Sequence, residues 1–122
     1  MNEKLLRFAI EEAKSRNAFL FILRVKEIAV GTLPAQLEMP RNGLEQWIEK
    51  VCAEAGIEYQ SVQIPSYDVG YTIAEQAATF GVERVIIGAQ YRSRLEHVLK
   101  GSVMRALGNL LPDDVQLVIH GG

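Results

Sequence analysis

A loop that combines glycine, basic and hydroxyl residues carries the chemically most suggestive pattern of the chain. Residues 85–103 read VIIGAQYRSRLEHVLKGSV, so an apolar strand leads to Gly88, and Lys100-Gly101-Ser102 introduces a helix. Free N–H groups at a helix start favour anions, and glycine lets the main chain approach a phosphate closely. The Ser102 hydroxyl can donate a hydrogen bond to a phosphate oxygen. The pattern therefore predicts an anion-binding loop.

Positive charge is concentrated around this loop. Residues 84–105 contain four arginines and one lysine against one glutamate, a local net charge of +4. The whole chain carries −2, so the remainder carries −6. A solvated basic helix face and a surface that attracts phosphate both fit this distribution. The negative total argues against a nucleic-acid-binding surface.

Several familiar kinds of site are excluded by the order and spacing of residues. Walker A requires Gly-Lys-Ser/Thr, whereas Lys100 precedes Gly101 here, and the dinucleotide fingerprint GxGxxG is absent. Two histidines and one cysteine without ligand spacing predict no metal site. No nucleophile, general base or carboxylate pair can be named with any specificity. The sequence therefore predicts a protein that is not an enzyme, with weak ATPase activity as the remaining catalytic alternative.

The loop belongs to a chain in which helices and strands alternate. Apolar periodicity predicts helices near 3–16, 43–55 and 101–111, and a further helix capped by Asp68 or Ser66 and closed by Gly81. Predicted strands cover 19–25, 57–64 before a stop at Pro65, 84–88 and 115–119. This alternation indicates βαβ crossovers, and therefore an open, doubly wound, mainly parallel α/β sheet. Such sheets bind ligands beyond the carboxyl ends of their strands, where Gly88 lies.

Length and composition predict a single domain over residues 1–122. The chain is 48% hydrophobic, which suits a domain with a core of its own. No apolar run approaches the roughly 18 residues of a membrane span, and the mixed charges of the N-terminal segment do not resemble a signal peptide. Cys52 is the only cysteine, so a reducing compartment, and hence a cytoplasmic location, is expected.

The spacing of the loop residues resembles a known family motif. Gly88, Tyr91 and Gly101-Ser102 fall at the positions of Gly-x2-Gly-x9-Gly-Ser/Thr, the nucleotide motif of the universal stress protein family. The segment LLRFAIEEAKSRNAFLFILRV is similar to the first helix and second strand of that family, and VQLVI to its fifth strand. The resemblance covers nearly the whole chain. It implies a Rossmann-like fold of the adenine-nucleotide alpha-hydrolase type, with sheet order 3-2-1-4-5.

The resemblance also implies a function, a ligand and a set of contacts. It implies a regulatory, stress-response module that binds ATP, with Mg²⁺, or a related nucleotide, without defined catalysis. The backbone of Val25 corresponds to the position that contacts adenine, and the strand at 115–119 to a homodimer interface. The implied nucleotide-binding residues are Val25, Gly88, Gln90, Tyr91, Arg92, Gly101, Ser102 and Val103.

Two departures from the family pattern leave a second hypothesis open. Tyr91 stands where the motif has its second glycine, and a side chain at positive φ costs on the order of 1–2 kcal/mol. The sequence also predicts no strand before its first helix, although that strand is central in the family. We expect the strand to lie upstream of the sequence or to come from another chain, unless its two neighbours pair directly. The alternative function is a non-nucleotide dimerisation or interaction domain, including the cytosolic regulatory part of a membrane transporter.

Overall fold

The computed structural model describes residues 3–28, 31, 43–88 and 102–120, and within them helices and strands alternate as predicted. These residues divide into two compact units, Leu6–Tyr67 and a second one that contains Asp68–Gly122. No helix among the described residues is long and apolar enough to cross a membrane. The elements in chain order are α1 (Glu3–Arg16), β1 (Leu20–Glu27), α2 (Gly43–Ala55), β2 (Tyr59–Ser66), α3 (Val69–Phe80), β3 (Arg84–Gly88), α4 (Ser102–Leu110) and β4 (Gln116–His120).

The strands form two parallel pairs. In the first unit β1 lies beside β2, in a register that runs from Leu20 opposite Tyr59 to Glu27 opposite Ser66. In the second unit β3 lies beside β4. Both pairs agree with the strand order that the family resemblance implied. Among the described residues the structure shows these two pairs as separate two-stranded sheets.

Strand β2 continues through Pro65, and the prediction that this proline would end the strand was wrong. The N–H of Leu20 donates to the Glu58 carbonyl at 3.0 Å, and the N–H of Ile28 donates to the Ser66 carbonyl at 3.0 Å. Alternate residues of β2 therefore direct their peptide groups toward β1, and Pro65 lies at a position that faces the other way. Because no ladder hydrogen bond needs a donor there, proline is accommodated within the strand.

The core of the first unit forms where α1 and α2 cover one face of β1. Leu6 and Ile10 of α1 are spaced four residues apart, as are Ile48 and Cys52 of α2, so each pair lies on one side of its helix. Cys52 and Ile48 are fully buried, so Cys52 is a core residue. Trp47 and Tyr59 pack against this group and are partly buried. The buried cluster is Leu6, Ile10, Ile22, Ile48, Val51 and Cys52.

Helix α3 of the second unit has both of the end signals that the sequence contains. Of the two predicted caps, Asp68 is the one used, since its carboxylate accepts a hydrogen bond from the Tyr71 N–H at 3.1 Å. Gly81 ends the helix with φ of 63°, a left-handed conformation that glycine adopts without strain. Between these ends Ala74 and Ala77 are buried, so small side chains form the packed face of α3.

Candidate functional site

The structure describes the two ends of the predicted anion-binding loop. Gly88 is the last residue of β3, and Ser102 is the first residue of α4. Both belong to the second unit. The predicted site residues between them, Gln90, Tyr91, Arg92 and Gly101, lie outside the described residues. The described part of the site therefore consists of the strand that leads into the loop and the helix that follows it.

Strand β3 positions Gly88 beside the last residue of β4. The run Val85-Ile86-Ile87 consists of β-branched residues, which favour a strand, and Ile87 is buried. The register places Gly88 opposite His120, at the carboxyl ends of both parallel strands. Sequence analysis assigned no role to His120, because nothing in its spacing connects it to a glycine 32 positions earlier. Only the register of the two strands shows that it flanks the start of the loop.

Helix α4 presents its N-terminus at the other end of the loop. It contains nine residues and is amphipathic, with Leu107 fully buried and Leu110 exposed. It packs against α3, so buried apolar contacts fix its position within the unit. Ser102 and Val103 lie in its first turn. The backbone N–H groups of that turn lack acceptors within the helix and form the positive end of its dipole, an arrangement suited to an anion.

Val25 lies within β1, in the first unit, and not at the end of its strand. It stands opposite Ile64, and β1 continues to Glu27. Because alternate residues of β1 direct their peptide groups to β2, the N–H and carbonyl of Val25 point to the opposite edge of the strand. These groups are thus directed away from the only ladder that the described residues show for β1.

The first unit also contains a polar depression that sequence analysis did not predict. It has a volume of about 280 Å³. One wall carries an ion pair in which Nη2 of Arg24 lies 2.5 Å from Oε1 of Glu45, and the Arg24 side chain is only 11% exposed. Burial raises the pKa of the Tyr59 hydroxyl, and the nearby Glu49 carboxylate and Cys52 thiol add to this shift. The lining residues are Glu45, Ile48, Glu49, Tyr59, Gln60 and Ser61.

Two polar atoms beside the depression have no hydrogen-bond partner in the described part of the chain, namely Nε of Arg24 and Oγ of Ser61. The Glu45 carboxylate is already paired with Arg24, which reduces the negative charge available to a cation. Within the described ranges no three or more histidine, cysteine, aspartate or glutamate side chains converge on a possible metal position. The geometry of this depression therefore supports no defined chemistry.

Comparison with known proteins gives one family and a consistent fold. The model of the universal stress protein family matches residues 1–118. A universal stress protein from Archaeoglobus fulgidus, solved in complex with dAMP, has a TM-score of 0.65 and 18% identity, and the match covers 96% of this chain and 85% of that one. A second structure of a universal stress protein from Archaeoglobus fulgidus has a TM-score of 0.66 and 18% identity, with 96% and 82% covered. No curated protein matches the chain. The structural likeness confirms the predicted Rossmann-like α/β fold.

Proposed function

Because the chain belongs to the universal stress protein family, we propose that it is a regulatory stress-response module that binds an adenine nucleotide and catalyses no defined reaction. The observation that carries this proposal is the arrangement of the second unit, where β3 ends at Gly88 and α4 begins at Ser102. Open parallel sheets bind ligands beyond the carboxyl ends of their strands, and helix N-termini bind phosphate. The strand end and the helix start supply both features around one loop.

The phosphates are proposed to bind along this loop. The N–H groups in the first turn of α4, where Ser102 and Val103 lie, would donate to phosphate oxygens, and the Ser102 hydroxyl would add a further donor. The loop residues Gln90, Tyr91, Arg92 and Gly101 would complete the contacts. The local charge of +4 over residues 84–105 favours a polyphosphate over a neutral ligand. ATP, with Mg²⁺ as its counter-ion, is therefore the proposed nucleotide.

The base is proposed to contact the backbone of Val25. Its peptide groups point away from β2, so a donor and an acceptor are available at that edge of β1. A purine offers a complementary donor and acceptor along one edge of its ring. The complex of the Archaeoglobus fulgidus protein with dAMP supports an adenine base as the recognised group.

A homodimer in the cytoplasm is proposed as the form of the protein. The N–H of Gln116 donates to the carbonyl of Glu83 at 2.9 Å, so Leu117, the next residue of β4, directs its peptide groups away from β3. In the described residues β4 pairs with β3 alone. Its outer edge can therefore pair with the same strand of a second copy, close to the predicted segment 115–119. Light scattering should give twice the chain mass of 13.6 kDa, and a monomer at micromolar concentration would refute this part of the proposal.

Calorimetry with ATP and Mg²⁺ tests nucleotide binding directly. We expect saturable heat for the parent protein, weaker binding for Ser102→Ala and Arg92→Ala, and no change for Ser15→Ala. Ser15 is the matched control because it lies in a helix of the first unit, where its hydroxyl donates a hydrogen bond to the nearby Glu12 carbonyl at 3.0 Å. The absence of both binding heat and a shift in melting temperature at millimolar nucleotide would refute the proposal. Phosphate release by the parent above the buffer rate would instead indicate an ATPase.

A non-nucleotide interaction domain is the second candidate, and Tyr91 is the observation that favours it. Tyr91 occupies a motif position where the family has glycine. If that position requires positive φ, tyrosine is strained there and its side chain occupies space needed by a phosphate. The variant Tyr91→Gly separates the two functions, with Tyr91→Phe as the control. ATP binding by Tyr91→Gly, with none by the parent or by Tyr91→Phe, would favour the second candidate.

A further inference from the structure

The outer edge of β2, on the side opposite β1, presents backbone groups that the β1–β2 ladder does not use. The hydrogen bonds at both ends of β1 are accepted by even-numbered residues of β2 and its flank, which therefore direct their peptide groups to β1. Tyr59, Ser61 and Gln63 lie at the intervening positions and direct their N–H and carbonyl groups outward. Among the described residues β1 is the only strand that pairs with β2, so this row of donors and acceptors is available to a partner.

The sequence of β2 does little to prevent a further strand from pairing at this edge. Strand edges are commonly protected by charged side chains or by proline. The strand reads YQSVQIPS and contains no charged residue. Pro65 lies at an outward-facing position and has no N–H to donate, so it ends the row of donors after Gln63. The edge that can accept a strand is therefore limited to the three outward positions from Tyr59 to Gln63.

The polar depression of the first unit lies between this edge and α2. Its lining residues all come from α2 and β2, and on β2 they are the consecutive residues Tyr59, Gln60 and Ser61. The register places Ser61 opposite Ile22, so its side chain lies on the face of the sheet that α1 and α2 cover. A side chain of an added strand that points to the same face would therefore lie beside the depression.

The charge at the depression favours a basic side chain. Glu45 and Glu49 are four residues apart on α2 and both line the depression, so they lie on one side of the helix. Glu45 is paired with Arg24, whereas Glu49 is exposed and has no ion pair in the described part of the chain. Two carboxylates against one guanidinium leave a net charge of −1. Oγ of Ser61 is buried without a hydrogen-bond partner among the described residues, and an ammonium group that enters the depression can donate to it.

We propose that the outer edge of β2 accepts an extended peptide segment in which a lysine or arginine points to α2 and enters the depression. The peptide would lie about 4.8 Å from β2 and exchange backbone hydrogen bonds with Tyr59, Ser61 and Gln63. Main-chain pairing supplies the affinity, and the Glu49 carboxylate selects the basic side chain. The same strand of a second copy is a poor partner, because β2 contains no basic residue. The interaction uses only groups of the first unit, so it does not depend on nucleotide binding.

Synthetic peptides test this proposal on the full chain. The probe alternates valine with lysine over five residues, which places both lysines on one face of an extended strand. One control has the same composition with the two lysines adjacent, and a second is the probe with every backbone nitrogen methylated. We expect the probe to slow amide hydrogen exchange at Ser61 and Gln63 by about tenfold or more, and both controls to slow it much less. The amides of Gln60 and Val62, which face β1, should change little.

Two glutamates of α2 give a matched pair of protein variants. Glu49→Gln removes the unpaired charge at the depression and should weaken binding of a fluorescent probe by about two- to fivefold, as expected for an exposed ion pair. Glu54→Gln makes the same change at an exposed position of α2 that does not line the depression, and should leave the affinity unchanged. Anisotropy titrations at low salt measure both. Equal effects of the two variants would show a response to net charge alone and would overturn the proposal.

The exchange measurements give further outcomes against the proposal. Unchanged exchange at Ser61 and Gln63 with millimolar probe would overturn it, as would equal protection by the peptide with adjacent lysines. Protection of the same two amides that rises with protein concentration in the absence of peptide would assign this edge to a second copy of the chain, and would overturn it as well.

Discussion

Gly88 and His120 stand opposite each other at the carboxyl end of the parallel pair β3–β4. Gly88 begins the loop that leads to α4, and His120 is the last residue of β4. A ligand held at the start of this loop therefore lies beside an imidazole that comes from a distant part of the chain. This relationship gives the proposed phosphate site a spectroscopic reporter in the described residues.

Nucleotide binding should change the NMR signals of the His120 ring. We expect ATP to shift its ring proton resonances in a saturable way, because a polyphosphate on the loop changes the electric field at the adjacent strand end. Adenosine, which has the base and ribose but no phosphate, should shift them much less. Equal shifts with ATP and adenosine would place the phosphates elsewhere.

Alanine substitution at two glycines of the second unit should change the free energy of unfolding in opposite directions. Gly81 has φ of 63°, so Gly81→Ala should lower the free energy of unfolding by about 1 kcal/mol. Gly108 lies within α4, with open space where a Cβ would be added, so Gly108→Ala should raise it by about 0.5–1 kcal/mol. Urea denaturation of both variants measures the difference. A stabilising Gly81→Ala would contradict the left-handed cap.

The stability of the protein should depend on Leu107 of helix α4 far more than on Leu110. Leu107 is fully buried, so Leu107→Ala should cost about 2–5 kcal/mol through lost burial and the cavity that remains. Leu110 is 49% exposed, and Leu110→Ala should cost less than about 1 kcal/mol. The two variants remove the same atoms from one helix, so their comparison isolates burial. Similar losses in denaturant titrations would show that α4 packs through another face.

The Cys52 thiol should be protected in the folded protein. Burial raises the pKa of this thiol, so the folded chain holds less thiolate at a given pH than the unfolded chain. Labelling with a thiol reagent at pH 8 should be at least tenfold slower in buffer than in urea. Equal rates in the two solutions, after correction for the effect of urea on a free thiol, would show that Cys52 is accessible.

The raised pKa of the Cys52 thiol also makes the free energy of unfolding depend on pH. Because the folded pKa of Cys52 is raised, its contribution to stability is present below the unfolded pKa of about 8.5 and is lost as pH rises toward the folded value. The unfolding free energy of the parent should therefore fall above about pH 8.5 more steeply than that of Cys52→Ala. A parallel pH dependence of the two proteins would refute this assignment.

The helices were the most predictable part of the fold, because their signals are local. The apolar spacing in α1 and α2, the Asp68 cap and Gly81 each depend on residues within a few positions of one another. Strand ends were less predictable. The effect of Pro65 depended on which way its peptide nitrogen points, and that direction is set by the partner strand, not by neighbouring residues.

The residues of the candidate site also fall into two groups, those that the sequence predicts and those that only the structure shows. Gly88 and Ser102 could be found from the sequence, since a strand, a glycine and a helix start follow one another along the chain. His120 and the Arg24–Glu45 pair could not, because each depends on contacts between residues far apart in sequence. Tyr91 distinguishes nucleotide binding from another interaction, and the variant Tyr91→Gly tests that choice.

The sequence by itself determined the alternation of helices and strands, the family resemblance and the position of the loop. Periodicity, capping residues and motif spacing depend on residues that are close together in sequence, so they can be recognised from the sequence alone. Only the tertiary structure decided which backbone groups each strand leaves for a partner, and which residue lies beside Gly88. Strand register depends on hydrogen bonds and packing between distant segments, and a shift by one residue would reverse the direction of every peptide group involved.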